Sequence, residues 1–246
     1  MKKIIAIISV TFLFGILFYH FALKPEAEIA VEANKKVDMS IINPKIGTTM
    51  GNTNAPVSIF IYSDYGCLAC KELNQQLDEI GFRGEYLEKG IIKVIYKDIP
   101  PSEHINSDLA SMAALAANEQ GRFWEMHALL FENSSWVEDK EKLFSYAQKV
   151  NLDMNKFKSD LESTQLRALI DENIKESKHL GLMGTPVMII NNKIILGTPS
   201  SSEKLKEIID NAIKESNAVK NTALNNILTN YLGGNYYENI RKTINC

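Results

Sequence analysis

Apolar and polar positions along this chain follow two patterns, unbroken apolar runs and stripes at helical spacing. The runs Val57–Tyr62 and Ile91–Tyr96 predict strands that are buried on both faces. Between them a helical stripe follows Cys67 and ends near Ile80, where Gly81 can terminate a helix. A strand, a helix and a strand of these lengths predict a right-handed unit with parallel strands.

The middle of the chain changes to helical periodicity after Pro100. Five amphipathic helices are predicted there, and the last of them ends at Gly181. Two further strands, Val187–Ile190 and Ile194–Leu196, follow as a tight hairpin. A capping box that starts at Ser200 predicts one more core helix.

The N-terminus carries the longest apolar run. Lys2 and Lys3 precede Ile4–Leu23, and these 20 residues would reach about 30 Å as a helix, the thickness of a bilayer's hydrocarbon core. The apolar region of a secretory signal is usually only about 7–15 residues long. An uncleaved signal-anchor in 1–23 is therefore favoured over a cleaved signal peptide, and either one exports everything that follows. Residues 24–45 are interpreted as a linker.

Composition narrows the class of protein. The 246 residues are 45% hydrophobic, which gives enough apolar material for one sizeable core or two small ones. The net charge of -3 gives no electrostatic reason to expect nucleic acid as a partner. Three cysteines are too few for a disulfide-stapled mini-domain, and Cys246 has no obvious partner. It ends an amphipathic tail, 217–246, either as an exposed thiol or as an intermolecular link.

The other two cysteines carry the clearest chemistry. Cys67 and Cys70 stand three residues apart at a strand-to-helix junction, a spacing that a disulfide tolerates. At the helix start, free N–H groups and the helix dipole favour the Cys67 thiolate, whereas Cys70 lies on the buried stripe. We therefore expect Cys67 as the nucleophile and Cys70 as the resolving thiol. The alternatives are an inert structural disulfide and half a zinc site, although no second C-x-x-C or H-x-x-x-H occurs. We expect no metal and no cofactor.

Three separated motifs resemble the DsbA-like thiol-disulfide oxidoreductases, and most closely their membrane-anchored, BdbD-type branch. The motifs are Asp64–Cys70, the alanine-rich segment Ala113–His127, and Gly184-Thr185-Pro186. The resemblance implies an α/β thioredoxin fold over 46–216 with an inserted helical domain at about 102–182.

The resemblance also implies a site. By local sequence alone, Pro186 is the first residue of a strand and its peptide bond is trans. The resemblance instead implies a cis Thr185–Pro186 bond beside the disulfide, with the Thr185 backbone pairing with an extended substrate. Leu68 and Ala69 would shape the same surface.

The implied activity is oxidation of dithiols in exported proteins, followed by reoxidation by a quinone-linked thiol oxidase in the membrane. An isomerase or reductase of the same fold is an alternative. A second alternative is a non-catalytic peptide-binding protein whose two thiols form a structural disulfide.

The chain also departs from the family pattern. Leu68-Ala69 lacks the proline that many members place after the first cysteine, and Ile61 stands where many have a buried glutamate. Asp64 is either the substitute acid or a solvated loop carboxylate. Lys97 either balances such an acid or extends its amine to solvent. His104 is more easily explained as a residue outside the site.

Overall fold

The computed structural model of the chain describes residues 36–232. The predicted signal-anchor at 1–23 and Cys246 lie outside these residues. Within the range 36–232, every helix is too short or too polar to cross a bilayer.

One mixed sheet organises the described chain. Its strands are β1 Thr48–Gly51, β2 Val57–Ser63, β3 Ile92–Asp98, β4 Val187–Ile190 and β5 Lys193–Leu196. They lie in the order β1-β3-β2-β4-β5, with β2 and β3 parallel and the other pairs antiparallel. The predicted parallel unit and the late hairpin are therefore confirmed. Strand β1 is missed by the sequence pattern because Met50 is its only large apolar residue.

The helix after β2 is α1, Leu68–Glu79, and Cys67 is its N-cap residue. Its buried residues are Cys70, Leu73, Gln76 and Leu77. Gly81 has a φ of +63°, a left-handed conformation that ends a helix with little strain in glycine. A short π-helix at Arg83–Leu87, which the sequence pattern does not predict, then leads to β3.

Successive side chains of each strand lie on opposite faces of the sheet, so the sheet separates two cores. The larger core lies on the face covered by α1 and includes Ile59, Ile61, Val94 and Tyr96. The smaller core lies on the other face and includes Phe60, Tyr62, Ile95, Val37 and Ile42. The predicted linker, 24–45, is thus packed against the sheet over its described part, since Val37 and Ile42 are buried there.

The five helices predicted between β3 and β4 are confirmed. They are α2 Ser107–Asn118, α3 Phe123–Glu132, α4 Lys142–Lys149, α5 Met154–Leu161 and α6 Thr164–His179. A 3-10 turn, Ser134–Val137, joins α3 to α4. Helix α2 is central, because its alanines are fully buried and small side chains let α3 and α5 pack closely against it.

The last helix is α7, Ser202–Leu232. Its cap is Ser201 rather than the predicted Ser200, because the Ser201 hydroxyl accepts a hydrogen bond from the Lys204 N–H at 3.2 Å. Leu205, Ile209 and Ala212 are buried in the larger core. Beyond residue 216 the helix continues without a break, so the predicted tail begins as an extension of α7 with exposed apolar residues.

Candidate active site

The strand order places the start of β4 beside the loop that follows β2. These two strands are antiparallel neighbours, with Tyr62 opposite Val187. The Cys67 sulfur consequently lies 3.5 Å from the Thr185 carbonyl oxygen. The Thr185–Pro186 peptide bond is cis, as the resemblance implied. Both cysteines of the pair are free thiols in this structure.

The surroundings of Cys67 favour its thiolate. A hydrogen bond from the Cys70 side chain, a second from the Thr185 side chain, and the backbone N–H groups of Cys70 and Ala69 together lower the pKa of Cys67 to about 5. Partial burial acts in the opposite direction and is outweighed. As the N-cap residue, Cys67 has an extended backbone, with φ of −89° and ψ of 123°. Its sulfur is therefore held beside N–H groups that the helix leaves unpaired.

Cys70 has the opposite properties. Its side chain is buried, and this burial raises the pKa of the Cys70 thiol well above the ordinary range. The hydrogen bond that it donates to Cys67, and the negative charge there, raise the pKa further. The protonated Cys70 is thus the donor that stabilises the Cys67 thiolate.

We expect this asymmetry to be visible in a titration of the reduced protein. Absorbance at 240 nm should report one thiolate with a midpoint near the pKa of about 5, and Cys70 should stay protonated throughout the ordinary cysteine range and above it. Because the folded pKa lies below the unfolded value, the thiolate stabilises the reduced protein most above that unfolded value. This stabilisation is lost as the pH falls through about 5. A midpoint near 9, the ordinary value, would contradict the assigned geometry.

The surface around Cys67 is apolar and open. Leu68 is 82% exposed and Met183 is 98% exposed, although both are large hydrophobic residues. Two grooves, of about 340 Å³ and about 470 Å³, share the segment 182–185 as a common wall. The backbone of Ala69 is held in position, because its carbonyl oxygen accepts a hydrogen bond from Thr198 Oγ1 at 2.5 Å. Of the predicted residues, Cys67, Cys70, Thr185, Leu68 and Ala69 are thus brought together.

Asp64 is fully buried, so the interpretation as a solvated loop carboxylate is wrong. Its carboxylate accepts hydrogen bonds from Ser107 Oγ, from His104 Nδ1 and, at 3.2 Å, from the Gly66 N–H. The Gly66 N–H also lies 3.1 Å from Ser107 Oγ. His104 therefore contacts the buried acid next to the site, contrary to the expectation that it lies elsewhere. Within residues 36–232, no group of three or more His, Cys, Asp and Glu side chains is arranged to hold a metal ion.

Lys97 does not balance Asp64, and that prediction is wrong. The alternation of β3 places Lys97 on the face of the sheet away from α1, where its amine pairs with Glu176 at 2.8 Å. Glu176 also accepts hydrogen bonds from the Tyr62 hydroxyl at 2.7 Å and the Asn43 N–H at 2.6 Å. Lys97 is fully buried, so its amine does not extend to solvent either.

Two polar residues beneath the thiols are missed by the sequence pattern. Ser63 ends β2, and its hydroxyl accepts a hydrogen bond from the Tyr96 hydroxyl at 3.0 Å and acts to lower the pKa of the Cys70 thiol. Asp98 ends β3 directly opposite Ser63 and is buried. The available signal was the alternation Val94, Tyr96, Asp98, which places the carboxyl group on the inner face of the sheet.

Comparison with known proteins gives a consistent result. The family model described as thioredoxin matches residues 45–211. Disulfide bond formation protein D of Bacillus subtilis is 24% identical over 184 residues, which cover 67% of this chain and 76% of that protein. Na(+)/H(+) antiporter NhaA 3 of Salinispora tropica is 25% identical over 159 residues, which cover 64% of this chain. The chain spans 24% of the length of that antiporter.

Solved structures with the same fold include two that match nearly their whole length. A thioredoxin-like oxidoreductase from Silicibacter pomeroyi has a TM-score of 0.61 and 24% identity, covering 72% of this chain and 98% of that one. Oxidised BdbD from Bacillus subtilis has a TM-score of 0.58 and 20% identity, and the match covers 73% of this chain and 96% of that one. The thioredoxin fold is therefore confirmed. The match to the B. subtilis relative also confirms the resemblance to the DsbA-like, BdbD-type branch.

Proposed function

The chain belongs to the thioredoxin family, and from this premise we propose that it is an exported thiol-disulfide oxidoreductase that forms disulfides in other exported proteins. In this function, Cys67 and Cys70 are the redox-active pair. Thr185 and Pro186, with Leu68 and Ala69, form the surface that receives the substrate.

The observation that carries the proposed direction is the unequal stabilisation of the two sulfurs. The Cys67 thiolate is stabilised by Cys70, Thr185 and backbone N–H groups, and its pKa is lowered to about 5. These interactions exist only when the pair is reduced, so they favour the reduced protein over its disulfide. A disulfide with a stabilised reduced form is a strong oxidant, because it readily accepts two electrons from a substrate dithiol.

The exchange then proceeds in two displacements. A substrate thiolate attacks the Cys67 sulfur of the disulfide, a mixed disulfide forms, and Cys70 leaves as a thiolate that takes up a proton. A second substrate thiolate attacks the substrate sulfur of the mixed disulfide and releases Cys67 as a thiolate. The substrate gains one disulfide and loses two electrons, which the Cys67–Cys70 pair now holds.

Substrate positioning is assigned to the segment before β4. The Thr185 carbonyl lies next to the Cys67 sulfur, and the two grooves meet along residues 182–185. An extended substrate that pairs with the Thr185 backbone would hold its cysteine at Cys67 and place its flanking residues over Leu68 and Met183. Their apolar exposure suits unfolded chains, which still expose hydrophobic residues.

The location and partners belong to the same proposal. The apolar run 4–23 would anchor the chain in the membrane as a single pass, with residues 46–216 as the catalytic domain on the outer side. The segment of about 102–182 would be the inserted helical domain, and residues 217–246 a C-terminal tail. A quinone-linked thiol oxidase in the membrane would restore the disulfide after each turnover.

Equilibration with glutathione tests this function directly. We expect the Cys67–Cys70 pair to have a reduction potential near the oxidising end of the family scale, about −120 mV, and to oxidise a reduced, unfolded model protein. A potential of about −180 mV together with reshuffling of wrong disulfides would indicate an isomerase instead. A potential below about −300 mV would identify a structural disulfide and overturn the proposal.

A further inference from the structure

Strand β5, Lys193–Leu196, forms one edge of the sheet, and the exchange described above does not use it. Within residues 36–232, the outer backbone edge of β5 is paired at a single position, where Lys36 forms an isolated antiparallel bridge with Lys193. Leu196 is 37% exposed, although it is a large hydrophobic residue. Unpaired backbone groups along a strand edge form a template on which another strand can pair.

One hydrogen bond shows which backbone groups of β5 face outward. Val37 N–H donates to the Asn192 carbonyl oxygen at 2.9 Å, and Val37 lies on the outer side of the strand. Alternate residues of a strand direct both N–H and C=O to the same side of a ladder. The outward groups of β5 are therefore those of Ile194 and Leu196. Among the described residues, no hydrogen bond reaches these two residues from that side.

The isolated bridge at Lys36 fixes the register of any continuation of this pairing. In an antiparallel ladder, one step back along one strand matches one step forward along the other. Lys35 would therefore stand opposite Ile194, and Ala33 opposite Leu196. These are the two positions of β5 whose backbone groups face outward, so each pair can exchange two hydrogen bonds.

The side chains before the bridge suit the outer edge of β5. Val37 is buried in the smaller core together with Ile194, and residues at even steps from them lie on the same face. Ala33 would therefore cover the exposed Leu196 on that face. Lys35 is the polar residue between Ala33 and Val37, and its methylene stem can lie along Ile194 while its amine reaches solvent.

The direction of β5 decides where an added strand ends. Pro186 immediately precedes β4 and lies at the active-site end of the sheet. Gly197 immediately follows β5, and its N–H donates to the Pro186 carbonyl oxygen at 2.8 Å, so β5 finishes at the same end. The bridge at Lys36 is at the opposite end of β5. A segment that runs back along β5 from Lys36 consequently arrives at the active-site end.

We infer that residues 33–35 pair with the outer edge of β5 and lead the chain to the membrane from the active-site end of the sheet. Nine residues, 24–32, then remain between this strand and the proposed anchor, and they span at most about 30 Å when extended. A domain the size of 46–216 is about 40 Å across. The tether is thus shorter than the domain, and the active site is held on the side that faces the bilayer.

This orientation serves one step of the proposed function, and its purpose rests on that function. The reduced thiol pair has to meet an oxidant in the membrane once per turnover, and a short tether at the active-site end keeps the two close together. The pairing itself depends only on the register and exposure of β5. It can therefore be tested without any assay of thiol exchange.

Amide hydrogen exchange in the full-length protein, embedded in vesicles, tests the pairing. Mass spectrometry of peptides that cover β5 should show slow exchange at Ile194 and Leu196 in the parent protein. Lys35→Pro removes an N–H that would bond to Ile194, and it should speed exchange at both amides by at least about tenfold.

Asn34→Pro is the matched control for this change. In the inferred register the residue 34 N–H faces away from β5, and proline is tolerated at such positions of an edge strand. Exchange at Ile194 and Leu196 should therefore stay within about twofold of the parent protein. Ala33→Pro acts on the pair with Leu196 and serves in place of Lys35→Pro if that variant does not fold.

Energy transfer to lipid tests the orientation. A maleimide fluorophore is attached to Cys67 in a Cys246→Ala background, one pH unit above the Cys67 pKa of about 5. The acceptor is a headgroup-labelled lipid in phosphatidylcholine–phosphatidylglycerol vesicles. Transfer should be equal in the parent and Asn34→Pro. It should fall by at least about twofold in Lys35→Pro, because the freed domain can turn its active site away by up to its own width of about 40 Å.

Several results would overturn the inference. They are fast exchange at both amides in the parent protein, equal exchange in Lys35→Pro and Asn34→Pro, and unchanged energy transfer in Lys35→Pro. Slow exchange that requires added unfolded substrate would make the edge a substrate site, and slow exchange that disappears at low protein-to-lipid ratio would make it a contact between two copies. A protected edge in a parent protein that oxidises no model substrate would instead overturn the proposed function and leave the pairing in place.

Discussion

Replacing Cys67 by alanine should reduce substrate oxidation at least about a thousandfold, to the level of the uncatalysed reaction. Cys67 is the partly exposed sulfur of the pair and the one whose thiolate is stabilised at neutral pH. Cys70 is buried and keeps its proton, so it has neither the access nor the charge to replace Cys67. The measurement is disulfide formation in a reduced, unfolded model protein.

The companion change, Cys70→Ala, should have a different phenotype. Without the resolving thiol, Cys67 should accumulate as a mixed disulfide with substrate, visible as a covalent complex that a reductant releases. Cys246→Ala is the matched control, because it removes the third cysteine and leaves the pair intact, and it should retain full activity. Oxidation at the parent rate by Cys67→Ala, or loss of activity in the control, would contradict the assigned roles.

Replacing Lys97 by methionine should lower the free energy of unfolding by about 3–5 kcal/mol. The amine and the Glu176 carboxylate form a fully buried ion pair, and removing the amine leaves the carboxylate buried without its counter-charge. Tyr62 and Asn43 still donate hydrogen bonds to Glu176, but they bring no charge. Burial lowers the pKa of Lys97, whereas its hydrogen bond with Glu176 and the Glu176 charge act in the opposite direction, so the ion pair opposes a desolvation cost. Denaturant unfolding of the reduced protein measures the loss.

Two controls separate burial from charge. Lys206→Met breaks an exposed pair with Asp210 and should leave the free energy of unfolding nearly unchanged, because solvent screens that pair. The double change Lys97→Met with Glu176→Leu removes both charges and should recover much of the stability, because an apolar pair needs no compensation. The Cys67 titration should be unchanged in both Lys97 variants, since Lys97 lies on the other face of the sheet. A loss below about 1 kcal/mol in Lys97→Met would contradict the structural role.

The sequence predicts the fold correctly where the local pattern of residues matches the environment that those residues have in the folded protein. Apolar runs predict β2 and β3 because strands covered on both faces need apolar residues throughout. The helical stripe of α1 places Cys70 inward for the same reason. Strand β1 and the π-helix Arg83–Leu87 were not predictable, since each depends on contacts with β3 rather than on its own periodicity.

The residues of the candidate site likewise fall into those that the sequence predicts and those that it does not. Cys67 and Cys70 could be found because their chemistry depends on a spacing of three residues and on a helix start, both of which are local. The partners of Asp64 and Lys97 could not be found, because they come from α2 and the loop before it and from α6, far along the chain. The expected pairing of Asp64 with Lys97 does not form, because successive side chains of β3 alternate between the two faces of the sheet and Lys97 lies on the face away from α1.

The sequence by itself determined the pair of thiols, the asymmetry of their roles and, through separated motifs, the family. Only the tertiary structure decided which carboxyl groups are buried beneath the thiols and which carboxylate pairs with Lys97. The physical reason is that a helix start and a spacing are properties of neighbouring residues. Burial and pairing depend instead on which strands are adjacent, and that is fixed by the whole core.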